Sequence, residues 1–113
     1  MTLLSLPLAL ILIGTPAMTT TEPRALRLEV TEQGGRVEAV LHGEADSDLA
    51  VRYEIVMTGN SSSRHRGATT LAAGTPATLS RVSMAAGSDW CVRVDVTEEG
   101  GPSYTYAEGP GCG

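Results

Sequence analysis

Few residues in this chain of 113 are of the types that perform chemistry: two histidines, two cysteines and a run of serines stand out. The serines at 61–63 lie close enough before His65 to suggest a nucleophile and a base. Such a pair needs a rigid, partly buried setting and donors for an oxyanion. A polar loop after Gly59 offers neither, and His42 is distant in the sequence. We therefore expect both histidines on the surface and no catalytic residues.

Motifs for binding metals, phosphates and cofactors are missing from the sequence. It contains no HExxH, CxxC, GxSxG or phosphate-loop pattern, and the acidic turn at 44–48 lacks the ligand set and the glycine of a calcium loop. All eight basic residues are arginine, which excludes mechanisms that need a lysine. The net charge of −5 argues against a nucleic-acid partner. We therefore predict a binding protein without metal or cofactor, and not an enzyme.

An apolar stretch at residues 3–13 opens the chain. Its length of about eleven residues suits the core of a signal peptide and is too short for a membrane helix. Thr15-Pro16-Ala17 supplies small residues for a peptidase, so we predict a signal peptide at 1–17, although no basic residue precedes the apolar stretch. The alternative is a buried strand or an uncleaved anchor. With cleavage after Ala17, the domain at 24–113 is exported and does not enter the membrane.

Beyond residue 23, apolar and polar residues alternate with period two, as in half-buried strands. The alternation predicts seven short strands separated by turns: 24–32, 36–42, 49–58, 64–71, 77–84, 89–97 and 103–107. A change of phase after Leu79 predicts a bulge or a bend. The residues expected in the core are Leu28, Val30, Leu41, Val51, Tyr53, Ile55, Trp90, Val92 and Val94. This spacing favours one all-β domain, an immunoglobulin-like antiparallel β-sandwich, with a small barrel as the alternative.

Cys91 and Cys112 are most simply explained, in an exported domain, as one disulfide. The last two predicted strands form a hairpin around Gly100-Gly101, so antiparallel pairing brings residues near 109–112 opposite Cys91. The bond would hold a glycine-rich tail that otherwise has no reason to be ordered. The alternative is a free, redox-active thiol, with Arg93 on the same face as Cys91.

Several features of residues 26–112 occur together in one known family. Tyr53 lies in the strand before the serine-rich loop, Gly67 lies in the next strand, and Leu71-Ala72-Ala73-Gly74 and Leu79-Ser80 with Val82 follow before the late hairpin. In this layout the chain resembles the curli-system CsgH/CsgC family, small periplasmic immunoglobulin-like proteins that keep curli amyloid subunits from polymerising before secretion. The CsgC branch carries a Cys-X-Cys pair. Here Cys91-Val92-Arg93 departs from it, which weakens a redox role and favours the CsgH branch.

The resemblance implies a monomeric periplasmic inhibitor of amyloid assembly whose partner is a curli subunit. We expect the client to bind an outward sheet face with Arg52, Val56 and Arg93, because the third and sixth strands are neighbours in an immunoglobulin sheet. Tyr104 and Tyr106 are also candidates, but a slip of one residue in the hairpin register would move both to the other face. A solvated face without a client is the alternative. A structural or adhesive module of an envelope complex is the alternative function.

Overall fold

Two antiparallel sheets make up the computed structural model, which describes residues 23–113. The strands are β1 (Leu26–Gln33), β2 (Arg36–Gly43), β3 (Leu49–Thr58), β4 (Ser62–Leu71), β5 (Ala77–Ala85), β6 (Cys91–Glu98) and β7 (Ser103–Glu108). The smaller sheet has the order β1-β2-β5 and the larger one β4-β3-β6-β7. The all-β prediction is confirmed, and the predicted strand limits agree within two residues. The predicted signal peptide lies outside the described residues. None of residues 23–113 belongs to a helix that could cross a membrane.

The core lies between the sheets and is built from the apolar phase of each strand. Six of the nine residues predicted to be buried are buried: Leu41, Val51, Ile55, Trp90, Val92 and Val94. The other three, Leu28, Val30 and Tyr53, are only partly buried against it. Leu28 and Val30 lie on β1, an edge strand of the narrower sheet, where neighbouring strands cover one side only. Tyr53 lies on β3, next to β4, which is an edge strand of the wider sheet.

A bulge in β5 shapes the side of the sandwich where β4 and β5 form the edges. Leu41 pairs with Ser80 but the next residue, His42, pairs with Thr78, so Leu79 is the extra residue. The Tyr53 hydroxyl donates a hydrogen bond to the Leu79 carbonyl oxygen at 3.1 Å. The phenol ring reaches there by lying on Gly67, where a Cβ would collide with it. The predicted bulge is confirmed, and it presents a carbonyl that ties the two sheets together.

The opposite side, where β1 faces β7, is closed by two more tyrosines. The Tyr106 hydroxyl donates to the Leu26 carbonyl oxygen at 2.7 Å, and the Leu26 amide donates to the Tyr104 hydroxyl oxygen at 3.0 Å. Tyr104 in turn donates to Glu98 Oε2 at 2.6 Å, which also accepts from the Ala25 amide at 2.8 Å. Glu98 is buried, so these donors replace the water that its carboxylate has lost. The start of β1 is therefore fastened to the larger sheet.

Arg24 covers this network from outside. Its guanidinium carbon lies 4.7 Å from the centre of the Tyr104 ring and 5.3 Å from that of Tyr106, within the range of cation–π contacts. The two rings meet edge to face, with centroids 5.6 Å apart. Burial, and then the hydrogen bond to Glu98, raises the pKa of the Tyr104 hydroxyl well above its ordinary value. Tyr104 therefore stays protonated and remains a donor throughout the physiological pH range.

The C-terminal tail crosses over Trp90 and is bonded to the start of β6. Cys91 and Cys112 form a disulfide, as predicted. The Gly111 amide donates to the Trp90 carbonyl oxygen at 2.8 Å. Gly109 has a φ of +130°, and a Cβ there would lie 2.6 Å from the Trp90 ring. The tail passes this close to the indole because glycine occupies the position of contact.

Removing the disulfide should destabilise the domain. The Cys91→Ser/Cys112→Ser variant loses a cross-link that spans 21 residues, so we expect about 3 kcal/mol less free energy of unfolding, measured in urea. Thiol labelling of unreduced, denatured wild-type protein is the direct check, and we expect no reactive thiol. Two reactive thiols per chain would contradict the bond.

The two tyrosines of the β1–β7 closure should differ in their contribution to stability. Tyr104→Phe leaves the buried Glu98 carboxylate and the Leu26 amide short of a partner, which should cost about 1–3 kcal/mol. Tyr106→Phe removes one hydrogen bond at a less buried position and should cost less, about 1 kcal/mol. Urea unfolding of both variants at neutral pH measures the difference, and an equal or reversed order would contradict the proposed network.

Alkaline pH should test the same hydroxyl. The pKa of Tyr104 is raised in the folded protein, so its contribution to stability is complete below the unfolded value of about 10. It is lost as the pH rises above that value, because the phenol then ionises in the unfolded chain first. Wild type should therefore lose stability above about pH 10 more steeply than Tyr104→Phe. Parallel stability curves for the two proteins would show that Tyr104 does not carry the effect.

Candidate functional site

The outer side of the larger sheet, here called the arginine face, brings together three of the residues predicted to bind the client. Val56 on β3 is paired with Arg93 on β6, and Arg52 lies further along β3 opposite Thr97. Arg52 and Arg93 are exposed, while Val56 is half-buried between its neighbours. The placement of these three side chains on one face is as predicted, since alternate residues of adjacent antiparallel strands point to the same side.

Two further arginines, which the sequence analysis did not include, extend this face onto β4. Arg64 is paired with Val56, and Arg66 is paired with Glu54. Glu54 Oε2 contacts the Arg66 side chain at 2.7 Å and that of Arg64 at 3.1 Å. The hydrogen bond from Arg66, followed by that from Arg64, holds the pKa of the Glu54 carboxyl below its ordinary value. Glu54 is therefore ionised at neutral pH and fixes the positions of both guanidinium groups.

The guanidinium groups of Arg52 and Arg93 differ from that pair. Within residues 23–113, neither makes a side-chain hydrogen bond or an ion pair. Asp95, the other carboxylate of the face, accepts a hydrogen bond from the Thr105 hydroxyl at 2.7 Å. The outward positions of these strands thus carry four arginines against two carboxylates, although the chain as a whole has a net charge of −5. Arg52 and Arg93 are the groups left available for another molecule.

A shallow cleft beside Arg52 lies at one end of the arginine face. It has a volume of about 510 Å³ and is lined by small side chains such as those of Ala68 and Thr97, together with Arg52 and Glu99. Small residues here let another backbone come close to the sheet, with the Arg52 guanidinium at the border of the cleft.

Tyr104 and Tyr106 do not belong to the arginine face, and their grouping with Arg52 and Arg93 as one client face is wrong. The hairpin register pairs Tyr104 with Val96 and Tyr106 with Val94, both of which point into the core. Tyr104 is only 8% exposed, and both hydroxyls are bonded to β1 or Glu98 as described above. The sequence left this register undetermined, and the contacts with β1 fix it.

The residues first considered for catalysis are far apart in the fold. His65 is exposed on β4 of the larger sheet, whereas His42 is on β2 of the smaller sheet, where it is bonded to Glu29 at 2.8 Å. His42 is half-buried and not fully exposed, because Glu29 lies against it. Among the described residues, no three His, Cys, Asp or Glu side chains come close enough to hold a metal ion.

Comparisons with known proteins find similarity in structure but not in sequence. No protein-family model and no curated protein sequence matches the chain. The E. coli curli protein CsgC superimposes with a TM-score of 0.54 at 19% identity, over 74% of this chain and 93% of CsgC. The solution structure of R. palustris CsgH superimposes with a TM-score of 0.50 at 24% identity, over 76% of this chain and 91% of CsgH. The expected structural resemblance is confirmed: this chain has the fold of CsgC and CsgH.

Proposed function

We propose that the protein is a periplasmic, chaperone-like inhibitor that keeps curli subunits from polymerising prematurely into amyloid. It acts as a monomeric binding protein and not as an enzyme. Its fold is shared with a protein described as a curli protein, and the disulfide is compatible with export to an oxidising compartment. The observation that carries the proposal is the pair of exposed arginines, Arg52 and Arg93, without partners among residues 23–113 on an otherwise polar sheet face.

Arginine suits the task of holding a polar, amide-rich chain. Its planar guanidinium has five N–H donors and a flat surface, so it can hydrogen-bond to carbonyl oxygens and stack on side chains at once. Val56 adds a small apolar contact between Arg93 and Arg64. Because the guanidinium groups of Arg52 and Arg93 make no ion pair among the described residues, binding a client does not require breaking one. The arginine face can therefore bind a client without first losing an interaction of its own.

The contact is expected to be weak and reversible, which fits a client that must move on to secretion. The arginine face offers isolated guanidinium groups and one half-buried valine, not a contiguous apolar patch of the kind that supports a permanent complex. Amyloid grows from rare nuclei by adding strands to exposed edges. A transient contact with early, soluble conformers can therefore delay growth without retaining the client.

Charge reversal on the arginine face is the main test. Arg52→Glu/Arg93→Glu should remove most of the delay that the wild-type protein imposes on fibril growth by a purified curli subunit, followed by thioflavin fluorescence. Arg27→Glu/Arg36→Glu is the matched control, since it changes the charge equally on the smaller sheet. We expect the control to inhibit like wild type and the circular dichroism of both variants to be unchanged. An unaltered lag with the first variant would place the site elsewhere.

Salt should weaken the inhibition if exposed arginines provide the attraction. Between about 0.1 M and about 1 M salt the Debye length falls from about 10 Å to about 3 Å, so charges on the two proteins no longer attract at a distance. The wild-type delay, measured against subunit alone at each salt concentration, should therefore shrink. A delay that does not change with salt would exclude charge as the main attraction.

The alternative function is a structural or adhesive module in an envelope complex, for which the same fold would serve. Wild-type protein that fails to delay fibril growth at an equimolar ratio would favour this alternative. Inhibition by wild type and by the control variant, together with its loss in the charge-reversal variant, would exclude it as the main role.

A further inference from the structure

The free edge of β4 is the longest open strand edge that the structure describes. β4 runs for ten residues, and its pairing with β3 is regular from Ser62 to Leu71, with no bulge and no proline. Within residues 23–113, the backbone of β4 makes no hydrogen bond outside that pairing. Its side chains are mostly exposed on both faces of the sheet. A regular edge of this length is a template for another strand, and most proteins protect such edges.

The other three edges are obstructed, each by a different device. On β5 the bulge at Leu79 interrupts the edge, and the Leu79 carbonyl already accepts from Tyr53. On β1 both backbone groups of Leu26 are bonded to tyrosine hydroxyls. β7 has only six residues and leads directly into the tail that the disulfide holds. Among the edges of residues 23–113, β4 offers the longest uninterrupted row of backbone donors and acceptors.

The charges on β4 determine which strand this edge can accept. Arg64, His65 and Arg66 follow one another near its middle, and β4 contains no acidic residue. A second copy of the domain, pairing antiparallel through β4 in the register centred on His65, would bring these basic residues opposite one another, and like charges directly opposite are destabilising. A strand with carboxylates at alternate positions would instead meet Arg64 and Arg66, whose side chains are 59% and 74% exposed and share the single carboxylate of Glu54. The charges of this edge therefore favour an acidic strand over a second copy of β4, which has no carboxylate to offer.

We propose that the β4 edge binds an extended, acidic segment of the amyloid-forming client as an added fifth strand of the larger sheet. This inference rests on the proposed function and names the backbone contact through which it operates. Backbone hydrogen bonds supply the affinity in such strand addition, and alternate side chains supply the specificity. The added strand continues the arginine face, so that its outward side chains lie beside Arg64 and Arg66.

Binding at this edge explains how a weak contact can oppose polymerisation. A strand in a fibril is paired along both of its edges. A client segment lying on β4 has one edge occupied by a strand that cannot stack further, because β3 covers the other side of β4. The client segment is thereby held as a strand, the conformation that it has in fibrils. It cannot pair with further client strands along both of its edges.

A pair of proline variants tests the edge directly. Successive residues of an edge strand point their amides to opposite sides, so Ala68→Pro and Thr69→Pro remove one amide facing the edge and one facing β3. Urea unfolding identifies the edge-facing variant as the one whose stability stays close to that of wild type. This variant should lose most of the delay of curli-subunit fibril growth. The other variant serves as a control for the presence of proline if it remains folded.

Amide hydrogen exchange of the wild-type protein provides a measurement that does not depend on a variant. Adding freshly unfolded curli subunit should slow exchange at alternate residues of β4, those facing the edge, and leave the edges of β1, β5 and β7 unchanged. Unchanged exchange along β4, or full inhibition by the edge-facing proline variant, would overturn the inference. Dimers of the protein alone that the proline variant abolishes would also overturn it, since a second copy would then occupy the edge.

The two proposals fail in different ways. No delay of fibril growth by wild-type protein would reject the proposed function, and the strand addition with it. Inhibition that is lost in Arg52→Glu/Arg93→Glu but retained in the edge-facing proline variant would reject the β4 edge alone. Loss of inhibition in both variants, with slowed exchange along β4, would support both.

Discussion

The fold depends on how tyrosine hydroxyls join two sheets of unequal width. A sandwich of three strands against four leaves an open side at each end of the strand order. Tyr53 closes one side by donating to the carbonyl of a bulged residue, and Tyr104 and Tyr106 close the other through the two backbone groups of Leu26. All three tyrosines of the chain take part. With no phenylalanine and a small aliphatic core, these polar links between sheets replace part of what a larger core would supply.

The strands and the core could be predicted because period-two alternation is a local property of the sequence. The limits of β3 and the bulge at Leu79 agree with the structure for this reason. The disulfide could also be predicted, since a tight hairpin fixes which residues come opposite Cys91. The depth of burial was harder to predict, and Leu28 and Val30 are only partly buried because β1 is an edge strand. Which strands become edges depends on the sheet order, which the alternation does not contain.

The candidate site was only partly predictable for a related reason. Arg52, Val56 and Arg93 could be placed on one face because β3 and β6 have clear alternation. Arg64 and Arg66 belong to β4, whose few apolar residues give little signal. The clue in the sequence was that Arg64 and Arg66 are two residues apart, just after the turn between β3 and β4. That spacing places both side chains on the same face of the sheet. The face of Tyr104 and Tyr106 could not be predicted, because only their long-range bonds to Leu26, about eighty residues away in sequence, determine it.

The bonds between Leu26 and the last strand also bear on the order in which the chain can fold. Leu26 in the first strand is hydrogen-bonded to residues 78 and 80 positions later in the chain. Contacts between residues so distant in sequence are slow to form. β1 can pair with β2, the next strand in the chain, but the closure between β1 and β7 must wait until the last strand is present.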